Sequence, residues 1–342
     1  MNNFIKDWIN SNQYTEEELK LMETERNIPG ILSSNDSYES LCKEWIKYLP
    51  YSNLNSNTTI TVDDCETNII DKLFSLYVND ETLVISSNKE HPSVTNNLDK
   101  CKNKIILDYE NDILKLNYSK IINEISKYKN VFVIIVGTHV SNGMITPQCF
   151  FVTLKEILKN VNHKIVLDDA QGIFLVHRDY SIFDYILGTA HATIERYNMG
   201  ICISNNNQEI GFRYGNWLEE HIKRIDILSK RLYKLSEFRN MMTNYYYNRI
   251  LHSANFSLYT NPLVSPNIFS IIDKNKLFTN VYEELADNHM ELDGIRDGDI
   301  NYVRFRGQYF VGDDRLYKAI GVVDKFLKFF EESTWQRNNY VV

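Results

Sequence analysis

A short apolar run, residues 165–167, ends abruptly in two aspartates, Asp168 and Asp169. A strand that is apolar on both faces and then presents polar side chains is typical of a parallel sheet, in which functional residues lie at the carboxyl ends of the strands. The residues that follow, up to Ser204, have the pattern of a turn, a second strand, another turn and a third strand. This stretch therefore predicts an α/β protein whose functional site lies at the carboxyl edge of its sheet.

From residue 58 onward, short apolar segments alternate with amphipathic segments, which is the pattern of a doubly wound parallel sheet. Helical periodicity fits between several of the apolar segments, as in residues 69–77. We therefore predict a large α/β domain with a seven-stranded, mostly parallel sheet. Its strands are predicted at residues 59–62, 83–86, 104–107, 131–136, 165–167, 185–187 and 201–204.

The pattern divides the chain into three regions. Residues 1–50 form an N-terminal arm, residues 51–215 the large α/β domain, and residues 216–342 a linking helix and a small α+β domain. The arm either packs on a partner subunit or is a flexible terminus. Outside the large domain, the predicted helices are residues 15–24, 38–49, 217–252 and a final helix around 316–330, and the predicted strands are residues 256–259, 268–272 and 302–305.

Composition and charge exclude several classes of partner. The 342 residues have a net charge of -8 and no basic cluster, so we expect neither nucleic acid nor an anionic membrane as a partner. The longest apolar run, residues 131–136, is too short to span a bilayer, and the polar start does not resemble a signal peptide, so we expect a cytoplasmic protein. Five scattered cysteines predict neither a disulfide framework nor a zinc knuckle.

Two segments, LDDAQG at 167–172 and GTAH at 188–191, resemble the fold type I enzymes that use pyridoxal phosphate, especially the class V aminotransferase and cysteine desulfurase branch. The resemblance covers most of the chain and implies the aminotransferase fold with a small C-terminal α+β domain. It assigns Asp168 to the pyridine nitrogen of the cofactor and Gln171 to the ring hydroxyl, with His191 beside them. Alternatively, Asp168 caps a local turn.

The chain departs from the family at the lysine that forms the Schiff base. The residue after His191 is Ala192, which has no amine and cannot form an imine. We therefore expect no covalently bound cofactor.

A second departure is at the phosphate-binding segment. The family has a Gly-Ala-Thr or Gly-Thr-Thr segment at a helix start, whereas residues 63–66 here are Asp-Asp-Cys-Glu. A carboxylate about 5 Å from a phosphate costs about 3 kcal/mol per charge pair at an effective dielectric constant near 20. Asp63 and Asp64 are therefore expected to oppose phosphate binding, unless Lys89 or Arg196 compensates.

The resemblance implies three further ligand-binding residues. His91 follows the second predicted strand, in the position of a histidine that stacks on the cofactor ring; alternatively it is a surface-loop residue. Asn142 lies in a segment that resembles the family's Ser-Asn-x-x-Gly. Arg304, or Arg306 on the same strand face, matches the arginine that clamps a substrate carboxylate, and either arginine is alternatively an ordinary surface residue.

A divalent metal is a further alternative for the pocket. Histidine and carboxylate side chains are predicted at or just beyond the carboxyl ends of several strands, and such clusters bind transition metals. No two of them form a short-range ligand motif. The candidate ligands are Asp63, Asp64, His91, His139, Asp168 and His191.

These patterns favour a repurposed fold type I protein that binds an amino acid or a related small molecule without a lysine Schiff base. The first alternative is an active pyridoxal-phosphate-dependent transferase or lyase with its lysine replaced at Ala192, and the second is a metal-dependent enzyme in the same pocket. We also expect a homodimer, because aromatic residues in the arm and the long helix offer apolar area; alternatively they complete the core of one chain. They are Trp8, Trp45, Trp217, Tyr245, Tyr246 and Tyr247.

Overall fold

The structure is a computed structural model of the chain. It describes residues 35–50, 54, 58–110, 113–114, 116–189, 199–206, 208–233, 240, 243–247, 250–261, 263–276, 293–297, 299–306, 321 and 324–328. The described residues fall into two compact units. The larger lies within Leu21–Ser229 and Asn261–Ser265, and the smaller lies within Lys230–Thr260 and Pro266–Val342.

Helices and strands alternate through most of the larger unit, as the apolar pattern predicts. The strands of the described residues are β1 (Thr59–Asp63), β2 (Thr82–Ser87), β3 (Lys104–Leu107), β4 (Tyr109–Glu110), β5 (Ile113–Leu114), β6 (Asn130–Val136), β7 (Asn162–Asp168), β8 (Tyr185–Thr189), β9 (Gly200–Ser204), β10 (Phe256–Leu258), β11 (Ile268–Asp273), β12 (Asp293–Asp297) and β13 (Ile300–Arg306). The helices with defined bounds are α1 (Asn35–Ile46), α2 (Glu66–Tyr77), α3 (Pro92–Leu98), α4 (Tyr118–Ile125), α5 (Gln148–Leu158) and α6 (Gly215–Tyr233).

The larger unit is built on a seven-stranded sheet in the order β1-β9-β8-β7-β6-β2-β3. Strands β3, β2, β6, β7 and β8 are parallel, whereas β9 is antiparallel to both of its neighbours, β8 and β1. Strand β1 therefore points in the same direction as β8. The predicted seven-stranded, mostly parallel sheet is confirmed, with all seven strands at the predicted places.

The carboxyl ends of β1, β2, β6, β7 and β8 lie at one edge of this sheet, which we call the carboxyl edge. The antiparallel β9 begins at the same edge, because Asp63 and Thr189 both pair with Gly200. On the other side of β8, Asp168 pairs with Val136 and with Leu187. The parallel β3 also ends at this edge, because Ser87 pairs with Leu107, so register places the ends of six strands and the start of a seventh together.

The core of the larger unit surrounds the central strands. The last six residues of β6 are buried, as β-branched and aromatic side chains of a central strand should be. On one face of the sheet, α2 buries Ile69, Ile70, Leu73 and Phe74, which is the helical face that the sequence predicts. This packing fixes α2 so that its first residue lies just beyond the end of β1.

Helix α6 belongs mainly to the larger unit, which includes its residues up to Ser229, although we predicted that the C-terminal region starts at residue 216. The reason is its buried aromatic contacts. Trp45 of α1 donates a hydrogen bond from Nε1 to Nδ1 of His221 (2.9 Å), and the rings of Trp217 and Phe174 pack on the same histidine.

The smaller unit contains an antiparallel four-stranded sheet in the order β10-β11-β13-β12. The three strands predicted there are present. Strand β12, with the sequence DGIRD, was missed because it lacks an apolar alternation, and so was the short hairpin of β4 and β5. The predicted helix 15–24 and most of the predicted final helix lie outside the described residues. Within the described part of the chain, no helix is long and apolar enough to cross a membrane.

Candidate functional site

Asp168, the last residue of β7, lies at the centre of the carboxyl edge and is 3% exposed. Its Oδ1 accepts a hydrogen bond from the backbone N–H of Ala170 (3.2 Å), and its carbonyl oxygen accepts one from the N–H of Gly137 (2.6 Å). Burial raises the pKa of Asp168, while the hydrogen bond from Ala170 and the nearby imidazole of His91 act in the opposite direction. The strand therefore ends in a buried carboxyl group whose ionised form its neighbours partly support.

Glu66, the first residue of α2, places its carboxyl group within hydrogen-bonding reach of the Asp168 carboxyl group. Glu66 is only partly buried as a residue, but its Oε1 is sealed from solvent. Burial, and then the negative charge of Asp168, raise the pKa of Glu66 well above its ordinary value. Burial also raises the pKa of Asp168, so both groups, which we call the carboxyl pair, favour their protonated forms more than free carboxyl groups do.

A third carboxyl group, that of Glu90, follows the end of β2 at the same edge. Its Oε1 accepts hydrogen bonds from the backbone N–H of Val136 (3.1 Å) and from the hydroxyl of Ser87. Burial raises the pKa of Glu90 to about 8, and the negative charge of Asp168 adds to this effect. Glu90 thus ties the ends of β2 and β6 together while its second oxygen, Oε2, stays buried without a hydrogen-bond partner among the described residues.

His91 is exposed at the start of α3, where its Nδ1 accepts a hydrogen bond from the backbone N–H of Ser93 (3.3 Å). It therefore acts as the N-cap of this short helix. The imidazole also acts electrostatically to lower the pKa of Asp168. The structure thus brings two residues that the sequence predicts for the site, His91 and Asp168, to the same edge.

Asp63 lies at the end of β1 but is already paired. Its carboxylate accepts hydrogen bonds from Lys72 Nζ (2.5 Å), Asn68 Nδ2 (2.8 Å) and the backbone N–H of Asp64 (2.8 Å). Burial alone would raise the pKa of Asp63, but these three hydrogen bonds lower it below its ordinary value. Asp64 is exposed. The charge of Asp63 is therefore compensated by α2.

The loop after β6 holds Asn142 and His139 in structural contacts. Asn142 Oδ1 accepts a hydrogen bond from the N–H of Met144 (3.0 Å), which closes the turn at Gly143, a residue with φ of 76°. The ring of His139 is 2% exposed and packs edge-on against Tyr109, with the ring centres 4.6 Å apart. Both side chains thus take part in the packing of this loop.

A buried ion pair joins two loops at the same edge. Arg178 Nε lies 3.2 Å from Oδ2 of Asp169, and both side chains are sealed from solvent. The guanidinium group also donates to the carbonyl oxygens of Gly137 (2.5 Å) and Thr146 (2.9 Å), while Tyr180 donates to Asp169 (3.0 Å). These contacts join the loops that follow β6 and β7.

Other predicted residues are placed differently. Gln171 follows Asp168 in the same turn and is 7% exposed. Arg304 lies on β13 of the smaller unit and is buried there. His191 and Ala192 lie outside the described residues, as does the side chain of Arg306.

Among the described residues, no group of three or more histidine, cysteine, aspartate or glutamate side chains is arranged to bind a metal ion. Two of the predicted ligands are engaged in other contacts. Asp63 is bound to Lys72, and His139 packs against Tyr109.

Sequence reasoning missed Glu66 and Glu90 as site residues. Both stand just after predicted strands, so the rule that functional groups follow the carboxyl ends of parallel strands would have included them. Glu66 was overlooked because the adjacent Asp63 and Asp64 have the same charge and lie closer to the strand. Only the direction in which α2 begins decides which acidic side chain faces Asp168.

Comparison with known proteins gives matches only among solved structures; no protein-family model and no curated protein sequence matches the chain. A structure described as a NifS-like protein has a TM-score of 0.70 at 13% identity and covers 94% of this chain and 98% of its own. A NifS-like protein from Rickettsia africae has a TM-score of 0.67 at 13% identity and covers 96% of each chain.

Two further structures extend the comparison. A lysine-to-alanine mutant of C-DES, with glycine covalently linked to its PLP cofactor, has a TM-score of 0.63 at 12% identity over 93% of this chain and 91% of its own. Sphingomonas wittichii serine palmitoyltransferase has a TM-score of 0.62 at 11% identity over 91% and 83%. At such low sequence identities, structural similarity shows a shared fold and nothing more. The chain therefore has the fold of the type I pyridoxal-phosphate-dependent enzymes.

Proposed function

We propose that this protein binds an amino acid or a related small molecule at the carboxyl edge without forming a Schiff base. The observation that supports this most directly is the carboxyl pair, Glu66 with Asp168, at the centre of the edge. The sequence adds a second reason, because Ala192 supplies no amine at the position where the family has its lysine.

The carboxyl edge is a poor fit for a phosphate-bearing cofactor. The start of a helix normally attracts phosphate through its free N–H groups, but here the first residue of α2 is Glu66, whose carboxyl group faces Asp168. Gly200 of β9 also packs tightly against this helix start, since a Cβ on it would lie 2.5 Å from the backbone nitrogen of Glu66. Negative charge and crowding both act against a dianion at this point.

An amino acid suits these groups better. Carboxylates accept hydrogen bonds from ammonium groups, and such charge-assisted bonds are stronger than neutral ones. Within a partly buried edge, that attraction is screened less than on an open surface. Non-covalent binding of an amino-bearing molecule therefore agrees with the charges that the described residues place there.

The first experiment is an absorption spectrum of the purified protein. We expect no band at about 400–430 nm, roughly where a protonated imine of the cofactor absorbs, and only weak binding of added pyridoxal phosphate. A protein that is yellow after gel filtration, with one cofactor per chain, would contradict the proposal.

The second experiment measures binding of the twenty free amino acids by titration calorimetry and thermal stabilisation. A ligand that binds the folded state alone raises the unfolding temperature, and the stabilisation grows with the logarithm of the ratio of ligand concentration to Kd. We expect at least one amino acid to do so. If none of them, nor any of their amide or N-acetyl derivatives, binds at millimolar concentration, the proposed function is wrong.

One observation favours a second candidate, an active pyridoxal-phosphate-dependent transferase or lyase whose lysine is replaced at Ala192. His91 lies near Asp168, and the family resemblance assigns these two residues to the cofactor ring. Tight binding of pyridoxal phosphate without an imine band, in the spectrum described above, would support this candidate.

A further inference from the structure

The C-terminal parts of α2 and α3, with the segments that follow them, enclose a groove, and we infer that this groove is a second site, for a free amino acid with an apolar side chain. It lies beside the amino ends of β2 and β3, whereas the carboxyl edge is at the other end of these strands. The six residues of β2 separate the two ends by about 17 Å. The groove is therefore distinct from the site of the proposed function.

The groove has the size and the apolar floor of a small-molecule site. Its volume is about 480 Å³, within the range of about 300–1,000 Å³ that is usual for such sites. Phe74 is 5% exposed and belongs to the hydrophobic core, and the partly buried Val78 and Cys101 pack against that core. All three residues line the groove. An apolar ligand side chain that covers them is removed from water, which favours binding.

Asn97 supplies a hydrogen-bond acceptor in a fixed orientation. The residue is 8% exposed, and its Nδ2 donates to Oδ1 of Asp71 (2.6 Å) and to the carbonyl oxygen of Ser93 (3.0 Å). These two bonds determine which end of the amide is the nitrogen. No donor in the described part of the chain bonds to its Oδ1. A ligand N–H group in the groove can therefore bond to this oxygen without displacing a protein contact.

Two residues of opposite charge contact Asn97. Asp71 accepts its amide hydrogen through Oδ1 alone, which leaves Oδ2 for a ligand. The backbone N–H of Lys100 donates to the carbonyl oxygen of Asn97 (3.1 Å), so the flexible lysine side chain starts beside the same residue. Both side chains are exposed, and neither forms an ion pair with any residue that the structure describes. The other two charged residues of the groove, Asp80 and Lys102, pair with each other (4.0 Å).

A free amino acid matches these groups. Its ammonium group donates to Asp71 and to Oδ1 of Asn97, its carboxylate accepts from Lys100, and its apolar side chain covers Phe74. A phosphate or a simple carboxylate would use Lys100 alone and would be repelled by Asp71. A simple amine would leave Lys100 without a partner. Recognition therefore needs both charges on one molecule.

Three cysteines report binding at three separate places. Cys101 lines the groove, Cys65 precedes α2 at the carboxyl edge, and Cys149 is exposed on α5. The full chain is labelled with iodoacetamide at about pH 8.5, because burial raises the pKa of the Cys101 thiol and the thiolate is the reactive form. Mass spectrometry of the peptides gives the labelling rate at each cysteine.

The probes are L-phenylalanine and L-leucine at millimolar concentration. At a concentration about twice Kd, bound ligand should slow labelling of Cys101 about threefold and change the rate at Cys149 less than about 1.5-fold. Two analogues test the charges: phenethylamine lacks the carboxylate, and 3-phenylpropionate lacks the ammonium group. Each analogue should need at least about tenfold more ligand than L-phenylalanine for the same protection of Cys101.

Variants identify the residues that bind the ligand. Asp71→Asn removes the negative charge but keeps an acceptor for Asn97, and Lys100→Glu reverses the positive charge. Each should raise the concentration that half-protects Cys101 about tenfold or more. Asp99→Asn is the matched control, because Asp99 is an exposed carboxylate next to Lys100 that does not line the groove, and its effect should be less than about twofold. Thermal unfolding verifies that each variant is folded.

The outcomes separate this inference from the proposed function. Protection of Cys101 that both charge variants weaken supports the inference, whatever happens at Cys65. If neither amino acid protects Cys101 at about 20 mM, or if both variants are protected as well as the wild type, the inference is wrong. Protection of Cys65 alone would overturn the inference and support the proposed function, because it assigns the binding to the carboxyl edge.

Discussion

Asp63, Asp169 and Glu90 lie at or just beyond the ends of three strands of the sheet, yet their surroundings make them chemically different. Asp63 is paired with Lys72 and Asp169 with Arg178, so both have a positive partner. Among the described residues, no basic side chain pairs with Glu90, which accepts hydrogen bonds from a backbone N–H and a hydroxyl. Local pairing, rather than residue type, therefore decides which carboxyl group remains for a ligand.

The raised pKa of Glu90 predicts a pH-dependent stability. Because the folded-state pKa is about 8 and the ordinary value of a glutamate is 4.5, Glu90 favours the folded state fully below pH 4.5 and loses this contribution as the pH rises to about 8. The loss is at most about 1.4 kcal/mol per pH unit. The stability of Glu90→Gln relative to the wild type should therefore increase between pH 5 and pH 8, as measured by urea unfolding.

Asp64→Asn provides the control for this experiment, because Asp64 is exposed at the same edge. Its difference from the wild type should stay within about 0.5 kcal/mol over the same pH range, as for most surface substitutions. A constant difference between Glu90→Gln and the wild type would show that Glu90 titrates normally in the folded protein.

Restoring the lysine tests whether position 192 is the only change in the pocket. We predict that Ala192→Lys alone gives no stable imine with pyridoxal phosphate, because the carboxyl pair repels the phosphate and attracts the new ammonium group. Ala192→Lys combined with Glu66→Gln should bind the cofactor more tightly than Ala192→Lys combined with Asp64→Asn. Absorbance titrations compare the three variants. Complete imine formation in the single variant would mean that Glu66 does not occupy the phosphate position.

At the scale of elements, the position of α2 depends on its contact with β9. Gly200 has no side chain, and a Cβ there would lie 2.5 Å from Glu66 N and 2.6 Å from Cys65 C, both backbone atoms that cannot move independently. The start of α2, and with it the carboxyl group of Glu66, is therefore placed by the close approach of a strand.

We predict that Gly200→Ala destabilises the protein by about 1–3 kcal/mol, the usual cost of overpacking. Gly321→Ala is the control: Gly321 is helical and a Cβ on it meets nothing within 4 Å, so this change should be neutral or stabilise by up to about 1 kcal/mol. Urea unfolding measures both. Equal effects of the two substitutions would show that the contact between β9 and α2 is looser than described.

Arg178 connects the loops after β6 and β7. Removing it in Arg178→Met leaves Asp169 buried without its positive partner, which should cost about 3–5 kcal/mol. In the double variant with Asp169→Asn, the uncompensated charge is gone, so part of the loss should return. Urea unfolding of the two single variants and the double variant gives the coupling free energy between Arg178 and Asp169. Simple additivity of the single effects would argue against a functional ion pair.

At the scale of the molecule, the aromatic residues that suggest an interface divide into two groups. Trp45, Trp217 and Tyr246 are buried within the described chain, so they complete its own core. Tyr245 and Tyr247 remain about half exposed, at 48% and 50%. Trp8 lies outside the described residues. The case for a dimer therefore depends less on these side chains than the sequence suggests.

We still predict a symmetric homodimer, as the family resemblance implies. Light scattering at micromolar concentration should give twice the mass of one chain. Tyr245→Ser with Tyr247→Ser tests whether the two exposed tyrosines contribute, because large aromatic side chains supply much of the binding energy of interfaces. A monomer mass for the wild type would contradict the prediction, and an unchanged dimer in the double variant would place the interface elsewhere.

Much of the larger unit could be predicted from the sequence. The apolar parts of β6 and β7 are buried on both faces, so each appears in the sequence as a continuous apolar run. Such a run is the clearest sequence pattern for a central strand. The hairpin of β4 and β5 and the strand β12 have no such signal, because short or exposed strands need no apolar alternation. In the site, Asp168 and His91 were predicted through the family resemblance together with their positions after strands, whereas Glu66 and Glu90 were not predicted.

The sequence by itself determined that position 192 has no amine, that seven apolar segments can form a sheet, and that acidic residues follow the first strand. These are properties of residue type and order. Only the tertiary structure decided that Lys72 pairs with Asp63 and that Glu66 meets Asp168. The reason is that parallel strands bring distant segments to one edge, where the direction of each helix start, fixed by packing, selects the side chains that face each other.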